Sequence, residues 1–197
     1  MKQLVIMAKK PVAGKVKSRL GKDIGYGVAA GIYRHLMTTT INNLGGDDRW
    51  KTSLAIAPDT SIYDRNWPPH LDRFGQGGGD IGTRMGAIFN TAPAGPVIII
   101  GTDIPHIKPQ DIADAFDRLR QCDVVFGPAG DGGYWLVGSR KKQLTQQMFC
   151  NVRWSGKHAL GDTIRNVSHL KVGYAAERFD IDTKDDLIKW RAMKAKT

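Results

Sequence analysis

No apolar run in this 197-residue chain approaches the roughly 18 residues that a membrane-spanning helix needs, so no membrane span is expected. Leu4-Val5-Ile6-Met7-Ala8 is apolar, but it falls short of the roughly 7–15 residues of a signal-peptide core. Basic residues follow that run instead of preceding it. It reads as a buried strand in a cytoplasmic protein. Cysteine is scarce: Cys122 and Cys150 suit a reducing compartment, and both are expected as buried small hydrophobes. No Cys/His cluster has zinc spacing. The five histidines (His35, His70, His106, His158 and His169) show neither metal spacing nor a triad partner at motif distance. Gly 23 and Pro 9 are too few for a low-complexity or collagen-like chain.

What is present fits a soluble globule: 41% hydrophobic and 24% charged residues. The length suits a single domain spanning residues 1–197. A chain of this size buries about 70% of its unfolded surface and needs no staple. The net charge of +10 is unevenly spread. Residues 1–22 carry Lys2, Lys9, Lys10, Lys15, Lys17, Arg19 and Lys22 with no acid. Segment 138–171 adds Arg140, Lys141, Lys142, Arg153, Lys157, Arg165 and Lys171 against Asp162. Such surfaces attract phosphorylated ligands, nucleic acids or anionic membranes. The five Trp are scattered and no recognition motif appears, so no nucleic-acid partner is expected.

Strand and helix signals alternate. Strands are expected at Gln3–Ala8, Thr52–Ala57, Val97–Gly101, Asp123–Gly127 and Tyr134–Gly138, with a short one near Leu71–Phe74. Helices are expected at about Gly27–Leu44, Gly82–Thr91, Pro109–Gln121, Lys157–Asn166 and Thr183–Ala195. Pro109 suits a first helical turn, and Thr183 with Asp186 resembles a capping box. Val97-Ile98-Ile99-Ile100 is continuous and β-branched, as in a strand covered on both faces. The pattern predicts a three-layer α/β/α fold with a mainly parallel sheet, made mixed by a hairpin at Pro128–Gly133. Ligands of open α/β sheets bind beyond the carboxyl ends of the strands.

Five constellations fall in that region. The loop Lys9-Lys10-Pro11-Val12-Ala13-Gly14-Lys15-Val16-Lys17-Ser18-Arg19 leaves the first strand. Its backbone N–H groups and cations suit phosphates, although it is not a Walker A loop. Lys9, Pro11, Gly14, Lys17 and Arg19 are its candidate phosphate-binding residues. Asp103 in Gly101-Thr102-Asp103-Ile104-Pro105 is delivered by a buried strand, as a carboxylate for Mg²⁺ or Mn²⁺. Asp131 lies in Gly130-Asp131-Gly132-Gly133-Tyr134, either as a plain hairpin residue or as a general base facing the acceptor. In Phe179-Asp180-Ile181-Asp182-Thr183, strand alternation would put Asp180 and Asp182 on one face, where one of them is a second metal ligand, unless Asp182 or Thr183 only caps the helix that follows. Finally, Gln76-Gly77-Gly78-Gly79-Asp80-Ile81-Gly82-Thr83-Arg84 fits the dinucleotide pattern on paper. It equally reads as a Gly loop onto a helix, with Gln76, Gly79, Asp80 and Arg84 near a nucleotide. Trp154 reads as a ligand-facing aromatic or a core residue.

Taken in order, six motifs carry a resemblance: Ala8-Lys9-x-Pro11-x-x-Gly14-x-x-Lys17-Ser18-Arg19-Leu20, Gly79-Asp80-Ile81-Gly82-x-Arg84-Met85, Gly101-Thr102-Asp103-Ile104-Pro105, Gly127-Pro128-Ala129-x-Asp131-Gly132-Gly133-Tyr134, Arg153-Trp154-Ser155 and Asp180-Ile181-Asp182-Thr183-x-x-Asp186-Leu187. The chain resembles a bacterial family of small glycosyltransferase-A-like transferases, described as nucleotide-diphospho-sugar or arsenosugar-biosynthesis glycosyltransferases. It is similar more distantly to 2-phospho-lactate guanylyltransferase and to the molybdenum-cofactor nucleotidyltransferases. The resemblance implies a glycosyltransferase-A fold. It implies a basic loop holding the phosphates of a nucleotide-activated donor, and Asp103 holding Mg²⁺ or Mn²⁺. Asp131, Gly132, Gly133, Tyr134 and Trp154 would face a small-molecule acceptor. The D-x-D position of that fold reads Gly101-Thr102-Asp103 here, with one carboxylate, so Asp182 or Asp180 would complete the metal site. Sugar transfer from a nucleoside-diphosphate sugar is the expected reaction. Nucleotidyl transfer from a nucleoside triphosphate is the alternative.

Overall fold

A computed structural model describes residues 1–140 and 145–194 of the chain. The strands are β1 (Gln3–Lys9), β2 (Lys51–Ala57), β3 (Asp72–Gly75), β4 (Val97–Ile100), β5 (Val124–Pro128), β6 (Tyr134–Ser139) and β7 (Val172–Tyr174). The helices are α1 (Ser18–Ile24), α2 (Tyr26–Leu44), α3 (Ile81–Thr91), α4 (Pro109–Arg118), α5 (Thr145–Met148), α6 (Ala159–Asn166) and α7 (Lys184–Lys194). All seven strands form one sheet in the order β3-β2-β1-β4-β6-β5-β7. β6 runs antiparallel to both β4 and β5, and the other pairings are parallel. No helix among the described residues is long and apolar enough to cross a membrane.

Period-two alternation divides the strand residues between two cores. Leu4, Ile6, Ile98 and Ile100 face a layer that includes Tyr33, Met37 and Ile41 of α2 and Ile112 and Phe116 of α4. Val5, Val97 and Ile99 face Met85, Ile88 and Phe89 of α3. This is the three-layer arrangement expected. All four residues of β4 are buried, as the unbroken β-branched run requires. Each such side chain contributes about 1.5–3 kcal/mol relative to an exposed one. A smaller cluster of Leu20, Leu36, Leu187 and Trp190 seats α1 and α7 against α2.

Helix starts follow local chemistry. Asp80 caps α3 by accepting the Thr83 N–H at 2.7 Å. Pro109 begins α4. Asp186 accepts the Thr183 N–H at 2.8 Å, and its own N–H reaches Thr183 Oγ1 at 3.3 Å, the reciprocal box anticipated for α7. Elements with no counterpart in the expected pattern include α1, α5, the three-residue β7 and a single 3-10 turn at Asp59–Ser61. The helix expected from Lys157 begins at Ala159. Lys141, Lys142 and Ala195 lie outside the described residues. The cysteines are a correction. Cys150 is exposed, and Cys122 is half-buried with its thiol donating to the Arg118 carbonyl at 3.0 Å.

Candidate active site

From β1 the chain moves outward through β2 to β3, then returns to place β4 on the other side of β1. Loops leaving β1 and β4 therefore diverge, which opens a crevice at the carboxyl ends of these strands. A cleft of about 610 Å³ occupies that position. Lys9, Lys15, Lys17, Arg19 and Arg84 line it from the β1 and α3 side. Asp131, Asp180 and Asp182 line it from the hairpin and the segment before α7, and Asp103 lies between.

Lys17 is central. It precedes α1 with φ 46° and ψ 47°, a left-handed conformation that costs a non-glycine residue roughly 1–2 kcal/mol. Its side chain is 3% exposed. Nζ donates to Asp182 Oδ1 at 2.8 Å and lies 3.2 Å from Asp103 Oδ1. Burial pulls the ammonium pKa down, and the Asp103 and Asp182 charges more than offset this, so its net shift is upward. Arg19 stands farther out, 66% exposed and 3.9 Å from Asp182 Oδ2.

The acids are held by backbone. The Ile181 N–H reaches the Asp103 carbonyl at 3.4 Å, and the Asp182 N–H reaches Asp186 Oδ2 at 3.2 Å. Asp180 and Asp182 do share the cleft, but not by strand alternation: residues 179–182 form no strand. Burial pushes the Asp180 carboxyl up to about 6, helped by the charges of Asp182 and Asp131 and opposed by Lys17. Asp131 occupies the β5–β6 turn and lines the cleft as well. Its Oδ1 accepts the Gly133 N–H at 2.8 Å. Gly132 has φ 86°, and a Cβ there would meet the Lys157 backbone at 2.6 Å.

Gln76 is 7% exposed and lines the cleft. Its Nε2 donates to the carbonyls of Ala8 at 3.1 Å and Ala55 at 2.9 Å. Two acceptors on one side fix the amide orientation, leaving Oε1 for a ligand. Arg84 Nε is pinned by the Gly79 carbonyl at 3.1 Å. Tyr134 and Trp154 both line the cleft, edge to face with ring centroids 6.4 Å apart.

Several anticipated residues sit elsewhere. The Asp80 carboxylate is spent on the α3 cap, away from the cleft lining. Gly79, Pro11, Gly14 and Gly132 shape turns without lining the cleft. The glycine loop follows β3, an edge strand, and not the strand at the crossover, so the dinucleotide pattern lacks its structural context. His106 accepts the Trp190 indole N–H at 3.1 Å and does not line the cleft.

Two positioning residues were missed. Tyr33 in mid-α2 accepts the Lys9 N–H at 2.8 Å and shares a hydrogen bond with Thr102 Oγ1 at 3.0 Å. Nothing local in the sequence marks it. Asp162 takes both ends of the Arg153 guanidinium at 2.8 Å, plus the Arg153 N–H at 3.1 Å. These bonds hold its carboxyl well below the usual range and fix the segment that carries Trp154. The Arg153-Trp154-Ser155 motif was a signal for that clamp, but its acidic partner was not apparent.

The family described as an uncharacterized protein conserved in bacteria, DUF2064, matches residues 40–156. The chain belongs to that family. The DUF2064 match spans the strand carrying Asp103, the Asp131 hairpin and Trp154, whereas Lys17 and Asp182 lie outside it. Among curated proteins no match was found. A Desulfovibrio desulfuricans G20 structure, described provisionally as a nucleotide-diphospho-sugar transferase, is 28% identical with a TM-score of 0.89, covering 98% of this chain and 87% of that one. A 4-diphosphocytidyl-2C-methyl-D-erythritol synthase from Anaerococcus prevotii is 12% identical with a TM-score of 0.62, covering 99% and 98%. A cytidylyltransferase from Leptospira borgpetersenii is 12% identical with a TM-score of 0.63, covering 100% and 87%. This DUF2064 chain therefore has the nucleotide-diphospho-sugar transferase fold, the glycosyltransferase-A architecture expected from its motifs.

Proposed function

We propose that this protein is a transferase using a nucleotide-activated donor, and that it moves a sugar from a nucleoside-diphosphate sugar to a hydroxyl of a small uncharged acceptor. The observation that carries this reading is the division of charge across the cleft. Cations from the β1 loop and Arg84 form one wall, while Asp131 and Asp180 stand on the other. A diphosphate fits the first wall. A phosphorylated acceptor would be repelled by the second, whereas a neutral hydroxyl is not, and it needs a base.

Each group then has a task. Lys9, Lys17 and Arg19 hold the diphosphate and stabilise charge building on it as it leaves. Gln76 Oε1 accepts from the nucleoside. Tyr134 and Trp154 supply an aromatic wall for the acceptor. Asp131 takes the acceptor proton as the acceptor oxygen bonds to the sugar's anomeric carbon. The bond from that carbon to the phosphate oxygen breaks, and the nucleoside diphosphate departs with the electron pair.

Asp103 and Asp182 fit a hard divalent cation. Mg²⁺ takes one or two carboxylates plus substrate phosphates. Asp103 Oδ1 is buried with an ion pair but no hydrogen bond, so it has an unfilled acceptor site. Bound there, Mg²⁺ or Mn²⁺ would neutralise phosphate charge.

Nucleotidyl transfer is the second reading. The approach of Asp182 to Asp103 around Lys17 favours it, since two carboxylates suit a triphosphate–metal complex. A thermal-shift panel with Mg²⁺ or Mn²⁺ separates the two. A ligand at 100 times its Kd adds about 2.7 kcal/mol. Metal-dependent stabilisation by a nucleoside-diphosphate sugar supports sugar transfer and names the donor. Stabilisation by triphosphates alone, with pyrophosphate released on turnover, replaces it with nucleotidyl transfer. A silent panel removes both.

A further inference from the structure

Lys17 holds the oxygens that a divalent cation would need. Its ammonium sits 2.8 Å from Asp182 Oδ1 and 3.2 Å from Asp103 Oδ1. An ammonium and a divalent ion drawn to the same two oxygens repel each other, and the buried ammonium is screened less than the partly exposed carboxylates. The side chain is 3% exposed, while that of Arg19, two residues on, is 66% exposed. A phosphate in the cleft thus meets Arg19 freely, but meets Lys17 only if its ammonium turns away from the acids. The backbone at φ 46° aims this one lysine of the loop inward. The hold is uneven: Asp182 is hydrogen-bonded, whereas Asp103 Oδ1 has no hydrogen bond. Lysine is a compact charge on a flexible stem, so it can change partner without moving the backbone.

We propose that Lys17 is a stand-in counter-ion, which neutralises Asp103 and Asp182 in the free protein and exchanges for a divalent cation when donor phosphates take its ammonium. This rests on the reading that Asp103 and Asp182 hold the metal. Two consequences follow. The metal alone binds weakly, because it must displace an internal cation. Donor and metal also strengthen each other's binding by the same factor, as reciprocal linkage requires.

The test uses Mn²⁺ alone, followed by the paramagnetic resonance of the free ion. Lys17→Asn keeps a residue that tolerates left-handed backbone while removing the charge. That variant binds Mn²⁺ about 5–150-fold more tightly than wild type, the usual span of a coupling factor. Adding Asp103→Asn to it abolishes the gain. Affinity in Lys17→Asn equal to or below that of wild type overturns the proposal. A second measurement needs no variant: amine acetylation of the wild-type protein, read by mass spectrometry at Lys17. Saturating Mn²⁺ increases labelling of Lys17 by about tenfold, in proportion to the ammonium released. Unchanged labelling with Mn²⁺ bound also overturns it. Neither arm contains a nucleotide, so failure here leaves the donor reading standing. A silent nucleotide panel beside intact exchange removes that reading alone.

Discussion

The hydroxyl of Tyr33 lies 3.0 Å from Thr102 Oγ1 and also accepts the Lys9 N–H at 2.8 Å. One phenol on α2 thus ties together the loops that leave β1 and β4. Tyr33 is 4% exposed and Thr102 2%. Burial pushes the phenol up to about 12, aided by the Asp103 charge, so it stays protonated across the physiological range.

Tyr33→Phe removes the partner of the part-buried Lys9 N–H and of the buried Thr102 hydroxyl. The expected cost is about 1–3 kcal/mol. In a domain of this size each kcal/mol lowers Tm by roughly 2–4 °C. Donor affinity falls too, because the Lys9 and Asp103 loops lose their common tether. Thermal melting and donor titration check both effects. A variant that melts and binds like wild type would show that the phenol positions nothing.

Asp131→Asn keeps the turn, since an amide oxygen still accepts the Gly133 N–H. Donor affinity therefore stays at the wild-type level. Turnover drops by about 10²-fold or more, the scale of a lost general base. Steady-state kinetics beside donor titration make the comparison. Wild-type turnover would reduce Asp131 to a hairpin residue.

Gly82 gives Trp154 its place. A Cβ at Gly82 would come within 2.5 Å of the indole and 2.9 Å of Phe149 Cβ. Gly82→Ala is expected to cost about 1–3 kcal/mol through overpacking and to raise the acceptor KM. Trp154→Ala in the same chain removes the clash with the indole but not that with Phe149 Cβ, so its own cost is smaller than in the wild-type background, and acceptor binding is not restored. A double-mutant cycle on stability and KM tests the pair, and simple additivity would mean that the two do not touch.

Asp162→Asn probes the clamp on Arg153 by pH. The Asp162 carboxyl is held low chiefly by the Arg153 side chain and then by its N–H. A depressed carboxyl stabilises the fold fully above the ordinary aspartate value of about 3.9, and that stability is lost as pH falls through the lower folded value. Wild type is thus more stable than the variant at pH 7, and the gap narrows toward pH 3. Urea unfolding at both pH values measures it. A gap that does not change with pH would show that the Asp162 charge contributes no stability.

Much of this architecture was legible because it depends on local pattern. The β-branched run of β4, the Asp-Gly turn before β6 and the Thr183–Asp186 box are each decided by residues a few positions apart. Asp103, Asp131 and Asp182 were placed in the cleft for the same reason, as they sit at the ends of readable elements. What escaped depends on distant partners. Tyr33 looked like any core aromatic of a helix, because Thr102 is 69 residues away. Lys17 read only as one more phosphate-binding cation of its loop, because its carboxylate partners lie far along the chain. Asp80 was placed near the nucleotide although a local rule, an N-cap before Thr83, accounts for it. Helix α1 has seven residues and no side-chain cap, so no period or boundary announced it.

Lys17 and Asp182 are separated by 165 residues in the chain, and β1 pairs with β4 across a shorter but still long gap, Gln3 opposite Val97. During synthesis, therefore, the basic loop after β1 emerges from the ribosome long before the acid that pairs with Lys17. The central strand also waits for β4 before its second edge is covered. Pairing over such distances slows folding and leaves apolar edges open meanwhile. A nascent chain released before Asp182 would have a cleft with uncompensated charge. The two halves of the site thus mature together, only once Asp182 has emerged, and assisted folding would act before that point.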